Sequence, residues 1–167
     1  MEQSDQRFPL VSMIIPVFNG EKTIRECLKG VLNSDYKSFE IIVVDDGSTD
    51  TTPRIIEKFS DNRIRIISNT NNLGISASLN RGIKASKGKY IARVDADDIS
   101  HTHRLEKQFN FMEKNLHIGI LGTGYSEIDE ADIEGSTFFY PRDPVEIKWK
   151  LLVGPVFPHP TVMLRKK

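Results

Sequence analysis

Short apolar runs and amphipathic stretches alternate along the first two thirds of the chain. Residues 10–17 (LVSMIIPV) form a β-branched apolar run that closes on the turn signal Phe18-Asn19-Gly20, so they predict a strand. Residues 23–32 follow with Ile24, Leu28, Val31 and Leu32 at i, i+4, i+7 and i+8, one face of a helix. Residues 39–44 (FEIIVV) predict a second strand, ended by Asp45-Asp46-Gly47-Ser48. A helix capped by Thr51 or Thr52 comes next, with Pro53 near its first turn and Ile55, Ile56 and Phe59 turned inward. Residues 64–67 make a third strand, 69–74 a polar loop, 76–87 a helix ended by Gly88, and 89–94 a fourth strand. Leu105, Phe109 and Met112 put a helix over 104–116, and residues 118–125 (IGILGTGY) read as a fifth strand bent at its glycines. Past Glu127 the pattern weakens to a short strand at 136–140, a helix at 144–152 and a strand at 161–164.

Strands that are continuously apolar, separated by amphipathic helices, imply an α/β fold with a mostly parallel sheet covered on both faces. Right-handed crossovers then bring the carboxyl ends of those strands to one edge, where ligands of such sheets bind. Asn19-Gly20, Asp45-Asp46 and Asp95 to Asp98 each follow a strand directly, so they converge on one rim.

Composition narrows the partners. The chain has 167 residues, enough for one domain with a real core, and 23 basic residues balance 23 acidic ones. A neutral chain has no global field to recruit nucleic acid or an anionic membrane. The single cysteine, Cys27, excludes an internal disulfide framework and fits a reducing compartment. The polar opening MEQSDQRFPL has no apolar h-region, and no run approaches the ~20 apolar residues of a membrane span. A cytoplasmic protein with at most peripheral membrane contact is the expectation. Residues 1–9 are set apart as a polar segment before the domain at 10–167.

The sharpest chemical feature is RVDADD, residues 93–98, where a strand runs into three carboxylates with nothing basic following until His101 and Arg104. Carboxylates two apart on an extended strand end point the same way, so Asp95 and Asp97 suit a shared hard divalent cation such as Mg²⁺ or Mn²⁺. Such an ion bridges the phosphates of a nucleotide and neutralises charge as a diphosphate departs. A solvated acidic turn opening a helix is the competing reading. Asp45-Asp46-Gly47 is an ordinary turn pair, yet an ionised Asp46 can only accept hydrogen bonds. It suits the N3–H of uracil or thymine or the N1–H of guanine, and it opposes the acceptor N3 of cytosine. Arg81 sits in a loose basic cluster with Lys84, Lys87 and Lys89, a solvated face from which Arg81 could touch a phosphate.

The segments VSMIIPVFN, EIIVVDDGSTD, NLGISASLNRGIKASKGKYIARVDADD, RLEKQ and HPTVMLRK occur in an order that resembles the N-terminal catalytic portion of a family 2 glycosyltransferase of the GT-A fold. The likeness runs from about Val11 to Arg165. It implies transfer of a sugar, with inversion, from a nucleoside-diphosphate sugar, usually UDP-linked, to a glycan or lipid-linked acceptor with Mg²⁺ or Mn²⁺. By that likeness Pro16, Val17 and Asn19 border the nucleotide pocket and Asp46 meets the base. Asp95, Ala96 and Asp97 are the DxD motif for ribose, diphosphate and metal, with Asp97 the more direct ligand.

Two departures stand out. Thr102 replaces a proline frequent before the RLEKQ-like helix. The family's acidic motif, whose aspartate is the general base, has no counterpart before Lys167; Glu127, Asp129, Glu130, Asp132 and Asp143 match no motif. The base is therefore expected beyond Lys167, and residues 10–167 are expected to be an incomplete GT-A domain. A sugar-phosphate nucleotidyltransferase is the alternative enzyme, but it wants a Gly-rich phosphate loop where Pro16 to Gly20 stands. A nucleotide-binding module without catalysis is the other alternative.

Overall fold

The computed structural model describes residues 10–129 and 133–166. Residues 1–9, Glu130 and Asp132 fall outside the described residues. In chain order the elements are β1 (Val11–Val17), α1 (Ile24–Leu32), β2 (Phe39–Asp45), α2 (Thr52–Ile56), β3 (Ile64–Ser68), α3 (Ile75–Ala85), β4 (Tyr90–Arg93) and α4 (Arg104–Lys114). Then follow β5 (Ile120–Leu121), β6 (Tyr125–Ile128), β7 (Glu134–Phe138), α5 (Pro144–Lys150), a 3₁₀ turn (His159–Thr161) and β8 (Met163–Arg165).

Six strands form one sheet in the order β3-β2-β1-β4-β8-β5, and β6 pairs with β7 in a separate hairpin. β1 is parallel to both β2 and β4, in register Val11 with Phe39 and with Tyr90, and β2 is parallel to β3. β1 and β2 are buried along their whole lengths because helices cover both faces. Met13, Ile15, Ile41 and Val43 pack with Ile24, Leu28 and Val31 of α1, Ile56 of α2 and Leu105 and Met112 of α4. The alternate residues Ile14, Ile42 and Val44 turn to the other face, against Leu79 and Ile83 of α3. Each such side chain stabilises the fold by about 1.5–3 kcal/mol when fully buried. At Gly82, a Cβ would come within 2.5 Å of Ile14, so glycine lets α3 lie close on β1.

Four expectations are corrected. Residues 118–125 are not one strand: Ile120–Leu121 stays in the central sheet, whereas Tyr125–Ile128 leaves for the hairpin. Gly122 and Gly124 sit at the departure, where a Cβ would meet Phe157 at 2.8 Å and the Phe138 carbonyl at 2.7 Å. β8 runs antiparallel to β4 and β5, so its carboxyl end lies away from the rim. Neither Thr51 nor Thr52 caps α2 through its side chain; Asp50 does so instead, accepting from the Thr52 N–H at 2.9 Å. Finally α3 ends at Ala85 rather than Lys87. The cause is Glu40, buried in β2, whose carboxylate takes the Lys87 N–H at 2.7 Å and draws it out of the helical ladder.

Candidate active site

The strand order reverses beside β1: β2 and β3 lie on one side, β4 on the other. Loops leaving β1 and β4 must therefore part, and the gap between them is the natural place for a ligand. A cavity of about 680 Å³ opens there, with Pro16, Val17 and Asn19 on one wall and Asp95, Ala96 and Asp97 on the other. A second cavity of about 240 Å³ shares Pro16, Val17 and Phe18 with the first and adds Asp46, Gly74 and Ser78. Seven of the eight residues expected to bind nucleotide sugar thus line this continuous cleft. Arg81 does not: its guanidinium donates to the Ser68 carbonyl at 3.3 Å and to the Asn69 side-chain oxygen.

The β1 loop is stitched to the β2 loop. Asn19 donates its backbone N–H to Ser48 Oγ at 3.0 Å, and its Oδ1 accepts the Thr49 N–H at 2.8 Å. Its φ of 51° is left-handed, a conformation asparagine tolerates better than most residues. Glu21 Oε2 accepts from the Thr51 N–H and hydroxyl at 3.1 and 2.7 Å, and Asp50 Oδ2 accepts the Glu21 N–H at 3.2 Å. Asn19 thus shapes the wall through its backbone while its amide serves the loop.

Asp46 is buried and continues the sheet, donating its N–H to the Val17 carbonyl at 2.8 Å. Burial would raise its carboxyl, but donors from the Leu73 N–H, Asn69, Ser78 and the Gly74 N–H prevail and hold it below the ordinary carboxylate range.

The acidic cluster has more cationic support than its sequence suggests. Arg93 grips Asp95 from two positions upstream, and the half-buried Arg104 donates to the Arg93 carbonyl at 2.8 Å and to Gln108 Oε1 at 3.1 Å. Burial brings the Arg104 guanidinium down to about 10, against the pull of Asp98. Asp98 is pushed up to about 6 by burial and by its neighbours Asp97 and Asp95. Cys27 donates to the Asp95 carbonyl at 3.3 Å, and burial followed by these carboxylates pushes its thiol up to about 12, which rules out a nucleophilic thiolate.

Asp97 is exposed and, among the described residues, has no hydrogen-bond or ion-pair partner. With Asp95 engaged by Arg93, Asp97 is the carboxylate open to a cation. Among the described residues no three His, Cys, Asp or Glu side chains gather into a ligand cage. That donor set fits Mg²⁺ or Mn²⁺ arriving with a diphosphate, since such ions combine one or two carboxylates with phosphate oxygens and water. The histidines lie elsewhere: His103 pairs with Asp35, His101 stacks near His103, and His159 opens the 3₁₀ turn.

Two participants escaped the sequence reading. Arg93 was in plain view, because side chains two apart at a strand end share a face. Asn69, which bonds Asp46, left no signal, since a polar residue opening a polar loop is unremarked by any pattern.

A mostly parallel sheet covered on both faces, with a ligand cleft at its switch point, is the architecture of the GT-A glycosyltransferases. The family model for glycosyl transferase family 2 matches residues 12–167, and the chain belongs to that family. EpsE of Bacillus subtilis (strain 168) is 38% identical over 162 residues, 94% of this chain and 56% of EpsE. The Escherichia coli enzyme named UDP-Glc:alpha-D-GlcNAc-diphosphoundecaprenol beta-1,3-glucosyltransferase WfgD is 36% identical over 126 residues, 75% of this chain and 49% of WfgD. Residues 1–349 of Staphylococcus aureus TarS in complex with UDP-GlcNAc superpose with a TM-score of 0.74 at 26% identity, covering 93% of this chain and 45% of that fragment. The chain thus spans about half the length of EpsE and WfgD.

Proposed function

We propose that residues 10–167 are the donor-binding domain of an inverting, metal-dependent glycosyltransferase that uses a nucleoside-diphosphate sugar, UDP-linked. The observation that carries this reading is the continuous cleft joining Asp46 to Asp95, Ala96 and Asp97 across β1. In it the base would lie by Asp46, in the smaller cavity between Phe18 and Ile75, and the diphosphate would reach the DxD carboxylates. Asp97, with Asp95 behind it, would hold Mg²⁺ or Mn²⁺, and the bound ion would neutralise the departing diphosphate. Arg93 would keep Asp95 oriented, and the stitched 19–51 loops would fix the wall against which the sugar is placed. The names of WfgD and TarS's ligand support a UDP donor, and WfgD supports a lipid-linked or glycan acceptor in polysaccharide or glycoconjugate synthesis. Such an acceptor would suit a cytoplasmic reaction, at most peripheral at the inner face of a membrane. Among the described residues no helix is long and apolar enough to cross one.

Among the described residues, the cleft offers no uncommitted carboxylate to take the proton of the acceptor hydroxyl. Of the cavity's carboxylates, Glu21 and Asp50 are spent on the loop stitching, Asp95 on Arg93, and Asp97 is assigned to the metal. We therefore place the general base outside these residues, in chain following the matched segment. Calorimetry with UDP, GDP, dTDP and CDP, each with and without Mn²⁺, tests the donor reading. UDP should bind most tightly and Mn²⁺ should strengthen it; indifference to both base and metal would refute the proposal.

A further inference from the structure

The Asp46 carboxylate is held from behind. We infer that Asn69, itself fixed by Arg81, is the positioning residue that presents Asp46 as acceptor for a nucleobase N–H; the inference rests on the donor reading above. Asn69 is only 6% exposed, and its backbone N–H donates to the Asp45 carbonyl at 2.8 Å, so it is tied to the end of the sheet. Its amide touches three groups: Nδ2 donates to Asp46 Oδ1 and to Ser78 Oγ at 3.2 Å, and Oδ1 accepts from Arg81. A guanidinium can only donate, so the amide oxygen must face Arg81 and the NH₂ must face Asp46. Arg81 thereby selects the amide orientation that supports an ionised Asp46.

The remaining valences are few. A carboxylate offers about four acceptor positions. Oδ1 takes Asn69 and the Leu73 N–H at 3.0 Å, Oδ2 takes the Gly74 N–H at 2.8 Å, and the Ser78 hydroxyl bonds the same carboxylate. Of these donors only the Ser78 hydroxyl can turn away by rotating, and it lines the smaller cavity beside Asp46. One displaceable donor matches one ring N–H, which uracil has at N3 and cytosine lacks. Arg81 lines neither cavity, so it acts on the base through Asn69.

The test titrates UDP and CDP, with thermal unfolding alongside, into the unaltered chain and into Asn69→Ala, Asn69→Asp and Arg81→Gln. The unaltered chain should prefer UDP. Asn69→Ala should cut that preference about tenfold, the worth of a hydrogen bond to a charged group. Arg81→Gln, at an exposed position, should cut it less. Asn69→Asp sets a second carboxylate against Asp46, so preference should fall at about pH 7.5 and recover toward about pH 5.5, where one shared proton restores a donor. A merely structural role would weaken UDP and CDP alike and show no recovery in acid; that result overturns the inference. So does a folded Asn69→Ala that keeps the full UDP preference. If Asn69→Ala does not fold, the ratios of Arg81→Gln and Asn69→Asp decide in the same way. An unaltered chain that binds UDP and CDP equally would remove the base reading itself, and this inference with it.

Discussion

Arg93 and Asp95 form a two-point ion pair at the end of β4, Nε to Oδ1 at 2.8 Å and Nη2 to Oδ2 at 3.0 Å. The pair changes how the two aspartates of the motif divide their work. Asp95 is half-buried, oriented and largely neutralised, whereas Asp97 projects without a partner among the described residues. Three carboxylates within four residues are tolerable because Arg93 takes one of them and the half-buried Arg104 stands beside another.

That division predicts unequal metal effects. Mn²⁺ should strengthen UDP binding to the unaltered chain and scarcely at all to Asp97→Ala. Asp95→Asn should keep part of the metal effect but lose stability, about 1–3 kcal/mol for a partly buried charge-assisted pair. Titration of UDP with Mn²⁺ or with chelator, alongside urea unfolding, measures both. Equal metal response in all three proteins would return the cluster to a solvated turn.

Asp46→Asn should narrow the preference for UDP over CDP, since a hydrogen bond to a charged group is worth about 1.5–3 kcal/mol. Its pH dependence has a definite sign. The folded carboxyl lies below its usual value of 3.8, so its stabilisation is complete above that value and is lost only as pH falls through the lower, folded one. The UDP preference should therefore be flat from about pH 7 to about pH 5. A decline within that window, followed by UDP and CDP affinity, would assign base recognition to a different group.

Much of the fold was legible because the decisive signals are local. β1 and β2 are apolar runs closed by turn residues, and their register places Asp46, Asp95 and Asp97 at one rim without further information. What could not be read depends on partners far away in sequence. The break at Gly122 and Gly124 answers to Phe157 and Phe138, and the reversed direction of β8 follows from how a long connection returns to β4. Asn69 belongs to the same group, because its importance arises only once Arg81 and Asp46 flank it.

Glu40 offers a stability test away from the cleft. It is buried at the amino end of β2, accepting from Ser12 Oγ and the Lys87 N–H at 2.7 Å each and from Arg65 at 3.1 Å. Glu40→Ala would strand the buried Ser12 hydroxyl and the part-buried Lys87 N–H, and Arg65 is open enough to water to soften its own loss. Destabilisation of about 2–4 kcal/mol is expected in denaturant unfolding. UDP affinity, measured where the variant remains folded, should not change, since the site lies at the opposite end of the strands. A matching loss of affinity would mean that α3 transmits strain to the Asp46 loop.

An acceptor hydroxyl is a poor nucleophile until a positioned group takes its proton, and general-base catalysis contributes about 10²–10⁴-fold. The cleft commits Glu21 and Asp50 to loop stitching and Asp95 to Arg93, so this chain should bind UDP-sugar and transfer it slowly. A form of the protein extended to the length of its relatives should bind UDP with similar affinity and transfer faster by at least that factor. Single-turnover transfer and UDP calorimetry on both forms make the comparison. Equal transfer would place the base within residues 1–167, with Glu21→Gln and Asp50→Asn the variants to separate a catalytic carboxylate from a structural one in the cleft.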